Sequence, residues 1–192
     1  MQLNKLNLLL IEQKPLVLLE NELSRLKLKF QAFNDSANLL VLVKQVEPDL
    51  IVIHHETISD KLIAELAKLN QHSPLPVVVF TQDDKLEMIQ QLIKADVAEL
   101  NLSPVNLATL TSTLHIALAR FKQQQQLKTA LDDVRVQLED RKQIDRAKAI
   151  LIKTRNFTED EAYHTLRKLA MDRNITLGEM ARNVIAMAEL LK

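Results

Sequence analysis

Five short apolar runs, each followed by a stretch with apolar residues at helical spacing, fill the first hundred residues of this chain. The runs are LNLLLIE (6–12), KFQAFN (29–34), DLIVIHH (49–55), PVVVFT (76–81) and VAELNLS (97–103). Between them lie LVLLENELSRLKLKF (16–30), SANLLVLVKQV (36–46, with Ser36 as a cap), SDKLIAELAKLNQ (59–71) and DKLEMIQQLIKA (84–95). DLIVIHH is apolar along its length, the pattern of a strand covered on both faces. Repeated strand-then-helix units with short connections predict an α/β fold with a doubly wound parallel sheet.

The second part of the chain obeys different punctuation. All five prolines lie before residue 105, and Gly178 is the only glycine. Ser103-Pro104, a cap followed by proline at the first helical position, predicts the start of a very long helix. Leu107, Leu110, Leu114, Leu118 and Phe121 continue an apolar stripe, and QQQQ (123–126) interrupts it. Leu127, Leu131, Val134 and Leu138 then follow 4-3-4 spacing, the seam of a coiled coil. Dimerisation through that seam is the favoured reading over one long helix packed on its own domain. Thr158-Glu159-Asp160-Glu161 and Thr176-Leu177-Gly178-Glu179 both match the S/T-x-x-E capping box. The long helix is therefore expected to end near Thr154, with further helices from 159 to about 172 and from 177 onward.

Composition narrows the function classes. With no cysteine, disulfides, thiolate metal sites and cysteine nucleophiles are excluded. No apolar run approaches the roughly 18 residues of a membrane span, and MQLNKLNLLLIEQKP reads as a first strand rather than a signal. A cytoplasmic protein without membrane contact is expected. The net charge of zero conceals a split. Residues 1–104 hold 10 Lys/Arg against 14 Asp/Glu, a net of −4, and residues 105–192 hold 15 against 11, a net of +4. The second part is the one suited to an anion. Glycine-rich phosphate loops are absent, and no competent acid, base or metal set marks an enzyme or a cofactor site.

The five units over residues 6 to about 120 resemble a receiver domain, the input module of two-component response regulators. That resemblance implies carboxylates after the first strand for Mg²⁺, an acceptor aspartate ending the third, a hydroxyl after the fourth and a lysine before proline after the fifth. The corresponding residues here are Glu12-Gln13, His54, Thr81 and Ser103. A neutral imidazole forms no acyl phosphate, and Mg²⁺ prefers oxygen ligands to nitrogen. The acceptor, half the metal site and the cation are missing, so the domain reads as a degenerate phosphoacceptor pocket, a pseudo-receiver. His54 and His55 are adjacent in a strand and point to opposite faces, which disfavours a metal pair. His54 reads as a polar side chain tolerated at a vacated pocket.

From residue 141 the chain reads RKQIDRAKAILIKTRNFTEDEAYHTLRKLAMDRNITLGEMARNVI. It resembles the ANTAR domain, an RNA-binding output module of transcription antiterminators, through Ile144, RAKAIL (146–151), E-x-E-A-Y (159–163), LRKLAM (166–171), Met180-Ala181 and Val184-Ile185. Ala149 departs from the glycine common after Ala-Lys. Ile144, Ala147 and Leu151, with Ala162, Leu166, Leu169 and Ala170, are the expected core. Arg146, Lys148, Lys153, Arg155, Arg167, Lys168 and Arg173 lie largely off those stripes, where they can neutralise phosphates or stack on unpaired bases. Tyr163, the only tyrosine, is read equally as a base-stacking residue and as a core residue with a polar tip outward. Lys148, Arg167 and Arg146 are the preferred RNA contacts, because they fall inside the motif.

The expected organisation is a pseudo-receiver over 1–120, a coiled-coil linker over 121–140 and an ANTAR RNA-binding domain over 141–192. The resemblance implies leader-mRNA hairpins as targets and antitermination without a catalytic step; the alternatives are a DNA-binding response regulator and an interaction protein that binds no nucleic acid. It also implies control by a ligand-sensing regulatory protein, NasS-like or AmiC-like, as in the antiterminators of nitrate-assimilation and amidase operons. A homodimer through the coiled coil would supply two RNA-binding modules at once, raising the effective concentration of the second contact.

Overall fold

The computed structural model describes residues 3–34, 38–102 and 105–190; the expected Ser36 cap and Ser103-Pro104 helix start lie outside them. The chain divides into two compact units, Met1–Gln125 and Gln126–Lys192.

The first unit holds strands β1 (Asn7–Glu12), β2 (Lys29–Phe33), β3 (Leu50–His54), β4 (Val77–Phe80) and β5 (Glu99–Asn101). Helices α1 (Val17–Arg25), α2 (Leu39–Val46), α3 (Asp60–His72) and α4 (Leu86–Lys94) alternate with them. The strands form one parallel sheet in the order β2-β1-β3-β4-β5. The doubly wound sheet expected from the sequence is present. Because side chains alternate along a strand, each strand feeds two cores. Leu9, Ile11, Ile51, Ile53, Val77 and Val79 pack with α2, α3 and α4. Leu8, Leu10, Leu50, Val52, Val78 and Phe80 pack with α1 and the start of α5 (Leu110–Arg155). Burying both faces of β1, β3 and β4 explains their unbroken apolar runs.

Local chemistry sets the ends. Ser59 caps α3, its hydroxyl accepting the Leu62 N–H at 3.2 Å, a bond that satisfies one orphan donor of the first turn. The leucine spacing of 16–30 predicted more helix than forms, because α1 closes at Arg25. There Lys27 takes a left-handed φ of 56°, and the Leu28 N–H bonds back to the Leu23 carbonyl at 3.1 Å. This closure places buried Leu28 against the α1/α5 core, the hydrophobic contact that accompanies such helix ends. It recurs after α4, where Asp96 has φ 66° and Val97 N–H meets the Leu92 carbonyl.

Helix α5 starts later than the sequence suggested. Residues 105–109 are not helical. The Asn106 side chain accepts the Ala108 N–H at 3.0 Å, and the Thr109 hydroxyl donates to the Asn106 carbonyl at 3.2 Å. This local turn competes with helix, as short polar side chains do. From Leu110 the helix runs 46 residues. Helices α6 (Glu159–Asp172) and α7 (Leu177–Leu190) complete the second unit. Their core is Ala147, Leu166, Ala170, Met180, Ala181 and Ile185, in which the three alanines let helices approach closely. Ala162 is also fully buried.

Candidate functional site

Strand register brings Glu12, His54, Phe80 and Asn101 into one row across the C-terminal edge of the sheet. This is the edge where doubly wound sheets place their chemistry. All four fall on the α1/α5 side of the sheet, given the alternation of the two cores. Glu12 is 1% exposed. One of its oxygens accepts the Leu16 N–H at 3.2 Å, and the other is buried without a partner. Burial pushes its carboxyl above the ordinary 4.5, against the opposing pull of the Leu16 bond. Burial likewise holds the His54 imidazole below 6.5, against the attraction of Glu56, and its Nδ1 is buried without a partner.

The loops above this row are tied to one another through Glu56. Its N–H donates to Gln13 Oε1 at 3.2 Å, its carbonyl accepts the Thr81 hydroxyl at 3.1 Å, and its carboxylate meets Lys14 Nζ at 3.2 Å. Thr81, 2% exposed, also accepts the Asp83 N–H at 3.1 Å. Ser103 lies outside the described residues. The receiver pattern implies Mg²⁺ here, and the donors do not fit it. A hard cation takes six or more oxygen ligands with charged carboxylates among them. This edge offers one buried carboxyl that disfavours its charged form, an imidazole and a hydroxyl already committed on both sides. Among the described residues, no group of three His, Asp or Glu side chains is placed to hold a metal ion.

In the second unit, both capping boxes form. Thr158 Oγ1 accepts the Glu161 N–H at 3.3 Å while Glu161 Oε2 accepts the Thr158 N–H at 2.8 Å. Thr176 and Glu179 repeat the arrangement at 3.2 and 2.9 Å. These backbone bonds hold both glutamates below the ordinary carboxylate range. Gly178 is buried. A Cβ there would fall inside contact distance of the Asp140 carboxylate, which pairs with Arg182 Nη1 at 2.6 Å.

The cations named from sequence divide into two sets. Lys148, its side chain 16% exposed, bonds Asp145 at 2.8 Å and Glu159 at 2.9 Å. Asp145, with Glu159 behind it, holds the Lys148 ammonium above its ordinary range. The contact with Glu159 fastens α5 to the first turn of α6. Arg146 pairs with Glu189 at 2.7 Å. Lys153, Arg155, Arg167, Lys168 and Arg173 are exposed and have no side-chain partner among the described residues. Tyr163 is 40% exposed, its ring meeting His164 edge-on at 6.1 Å. The sequence reading passed over Met171, which ends the LRKLAM segment and is 71% exposed. Its place eight residues after Tyr163 was the available signal. Among the described residues no helix is long and apolar enough to cross a membrane.

The ANTAR domain family model matches residues 125–185. The transcriptional regulatory protein PdtaR of Mycobacterium tuberculosis is 23% identical over 151 residues, covering 79% of this chain and 74% of that protein. The nitrate regulatory protein of Klebsiella oxytoca is 38% identical over 66 residues, which are 34% of this chain and 17% of that protein. Two solved receiver domains share the fold of the first unit. That of a diguanylate cyclase from Desulfovibrio desulfuricans has TM-score 0.54 at 17% identity, covering 62% of this chain and 98% of that one. That of an HD domain-containing protein from Pseudomonas fluorescens has TM-score 0.53 at 22% identity, covering 61% and 97%. The chain therefore carries an ANTAR domain over residues 125–185, and its first unit has the fold of receiver domains.

Proposed function

We propose that this regulator binds RNA stem-loops in a leader transcript and acts by transcription antitermination, without catalysing a reaction. The observation that carries the reading is the group of exposed cations on the ANTAR unit, Lys153, Arg155, Arg167, Lys168 and Arg173, that have no side-chain partner among the described residues. Charges of this kind supply the salt-dependent part of nucleic-acid binding. Arg146, Lys148 and Tyr163 stay in the RNA-binding set, the first two with the added task of ordering the unit. Loops with splayed bases suit such a surface better than duplex grooves do.

Regulation passes through protein association rather than phosphorylation. The degenerate edge of Glu12, Gln13, His54 and Thr81, together with Ser103, supports this, since a histidine stands where an acceptor carboxylate is needed. The controlling partner is a ligand-sensing protein, and the target is an operon of nitrate or nitrite assimilation. The similarity to the Klebsiella nitrate regulatory protein supports the second point. Residues 1–120 receive the signal, 121–140 join two copies and 141–192 engage RNA, in the cytoplasm where transcripts are made. Leu127, Leu131, Val134 and Leu138 are each more than half exposed, as expected of a seam that pairs with a second copy.

A gel-shift with leader RNA and duplex DNA of the same sequence tests this. RNA alone should be retarded, with affinity falling steeply between about 50 and 200 mM salt. Retardation of the duplex alone would replace the proposal with a DNA-binding regulator. Incubation with acetyl phosphate and Mg²⁺ should leave the protein unlabelled.

A further inference from the structure

LRKLAM contributes Leu166 and Ala170 to the core, yet its last residue, Met171, is 71% exposed. The reason lies in helical geometry. Ala162, Leu166 and Ala170 form the buried row of α6, and Tyr163, Arg167 and Met171 each stand one residue further on. They therefore make a parallel row at i, i+4 and i+8, turned away from the core. The next row carries His164 and Lys168, both exposed. Nothing in the packing of the unit requires an aromatic ring and a thioether outside.

The row alternates ring, guanidinium and thioether over about 12 Å of helix. Tyr, Arg and Met are also common at protein interfaces, so the unpaired charge decides between the two kinds of partner. Here Arg167, and Lys168 beside it, have no side-chain partner among the described residues, which favours a polyanion that also presents flat apolar faces. Unstacked RNA bases have that chemistry.

We propose that Tyr163, Arg167 and Met171 form a base-contacting row, with Met171 and Tyr163 each covering the face of an unpaired loop base and Arg167 lying between them against the intervening phosphate or base plane. The proposal rests on the RNA-binding reading and assigns part of its specificity to an apolar residue. Met171 separates bases from backbone because it carries no charge to exchange for counterions.

The test uses the full chain and an RNA hairpin that it selects from a loop-randomised pool, together with the same hairpin bearing abasic loop nucleotides. Met171→Gln should weaken capture of the intact hairpin about tenfold, leave capture of the abasic hairpin unchanged and keep the slope of affinity against salt. Met171→Leu should restore most of the loss. Arg167→Gln should weaken both hairpins and lower the salt slope by about one. Unchanged melting of the variants excludes a folding effect. Equal capture of both hairpins by wild type and Met171→Gln overturns the row while leaving RNA binding intact. Loss of a protein complex with RNA binding unaltered also overturns it. Failure of wild type to select any hairpin removes the RNA reading itself, a result distinct from the other two.

Discussion

The two units handle polar groups in opposite ways. At the edge of the sheet, an oxygen of Glu12 and the Nδ1 of His54 are buried without partners, beneath large aliphatic side chains that fill both faces. In the ANTAR unit, alanines bring three helices together, and the carboxylates near the joints work as caps or ion pairs. The same residue type even titrates in opposite directions. Glu12 is pushed above 4.5 by burial, whereas Glu161 and Glu179 are drawn below it by backbone bonds. The core of the sheet packs on both faces without drawing on the polar groups at that edge. The helical unit has a small core and depends on its joints.

The sharpest way to break this comparison is to damage the small core. Leu166→Ala removes a fully buried side chain and should cost about 2–5 kcal/mol. Calorimetry should show the transition of the ANTAR unit falling while that of the sheet unit stays in place. Gly178→Ala forces a methyl against Asp140 and should cost about 1–3 kcal/mol by overpacking. Asp140→Ala in the same chain should recover most of it, leaving exposed Arg182 unpaired. Thr158→Ala and Thr176→Ala each remove a cap, worth about 1 kcal/mol, and urea melts should read the two losses as nearly additive.

The smallest effects concern pH, where Glu12 differs in sign from His54, Glu161 and Glu179. Glu12 has a raised folded-state pKa, so its contribution is present below 4.5 and is lost as pH rises through the folded value. His54 has a lowered one, so its contribution is present above 6.5 and is lost as pH falls through the folded value. Glu161 and Glu179 also stabilise above 4.5 and lose that contribution in acid. Glu12→Gln should therefore raise the stability of the sheet unit at pH 7 and flatten its decline above 4.5. His54→Asn should flatten the acid side below 6.5. Neither should move the ANTAR transition. Urea titrations across pH 4 to 8, on a scale of about one pH unit per step, would read both.

Much of this architecture was legible because it is local. Strand runs, helix stripes and both capping boxes are written within a few residues of where they act. The start of α5 was misplaced because Asn106 bonds to its own neighbours, and a stripe of leucines carries no trace of that turn. Glu12 and His54 were each named from the end of a single strand. Their row, however, depends on register between four strands, which no single segment encodes. Lys148 shows the same boundary: its motif neighbour Asp145 is visible in sequence, but Glu159, eleven residues on, meets it only after the chain has turned. Gly178 was noted as solitary without a reason, since the reason is a side chain from α5.

Left-handed corners close α1, α4 and α6. Lys27, Asp96 and Asn174 occupy positions where glycine is common, and each is followed by an apolar residue bonded back into the last turn. A left-handed φ costs a residue with a Cβ more than it costs glycine, so the back-bonded apolar residue after each corner is what holds it there. In a chain whose solitary glycine is itself wedged against Asp140, these corners act as latches rather than swivels.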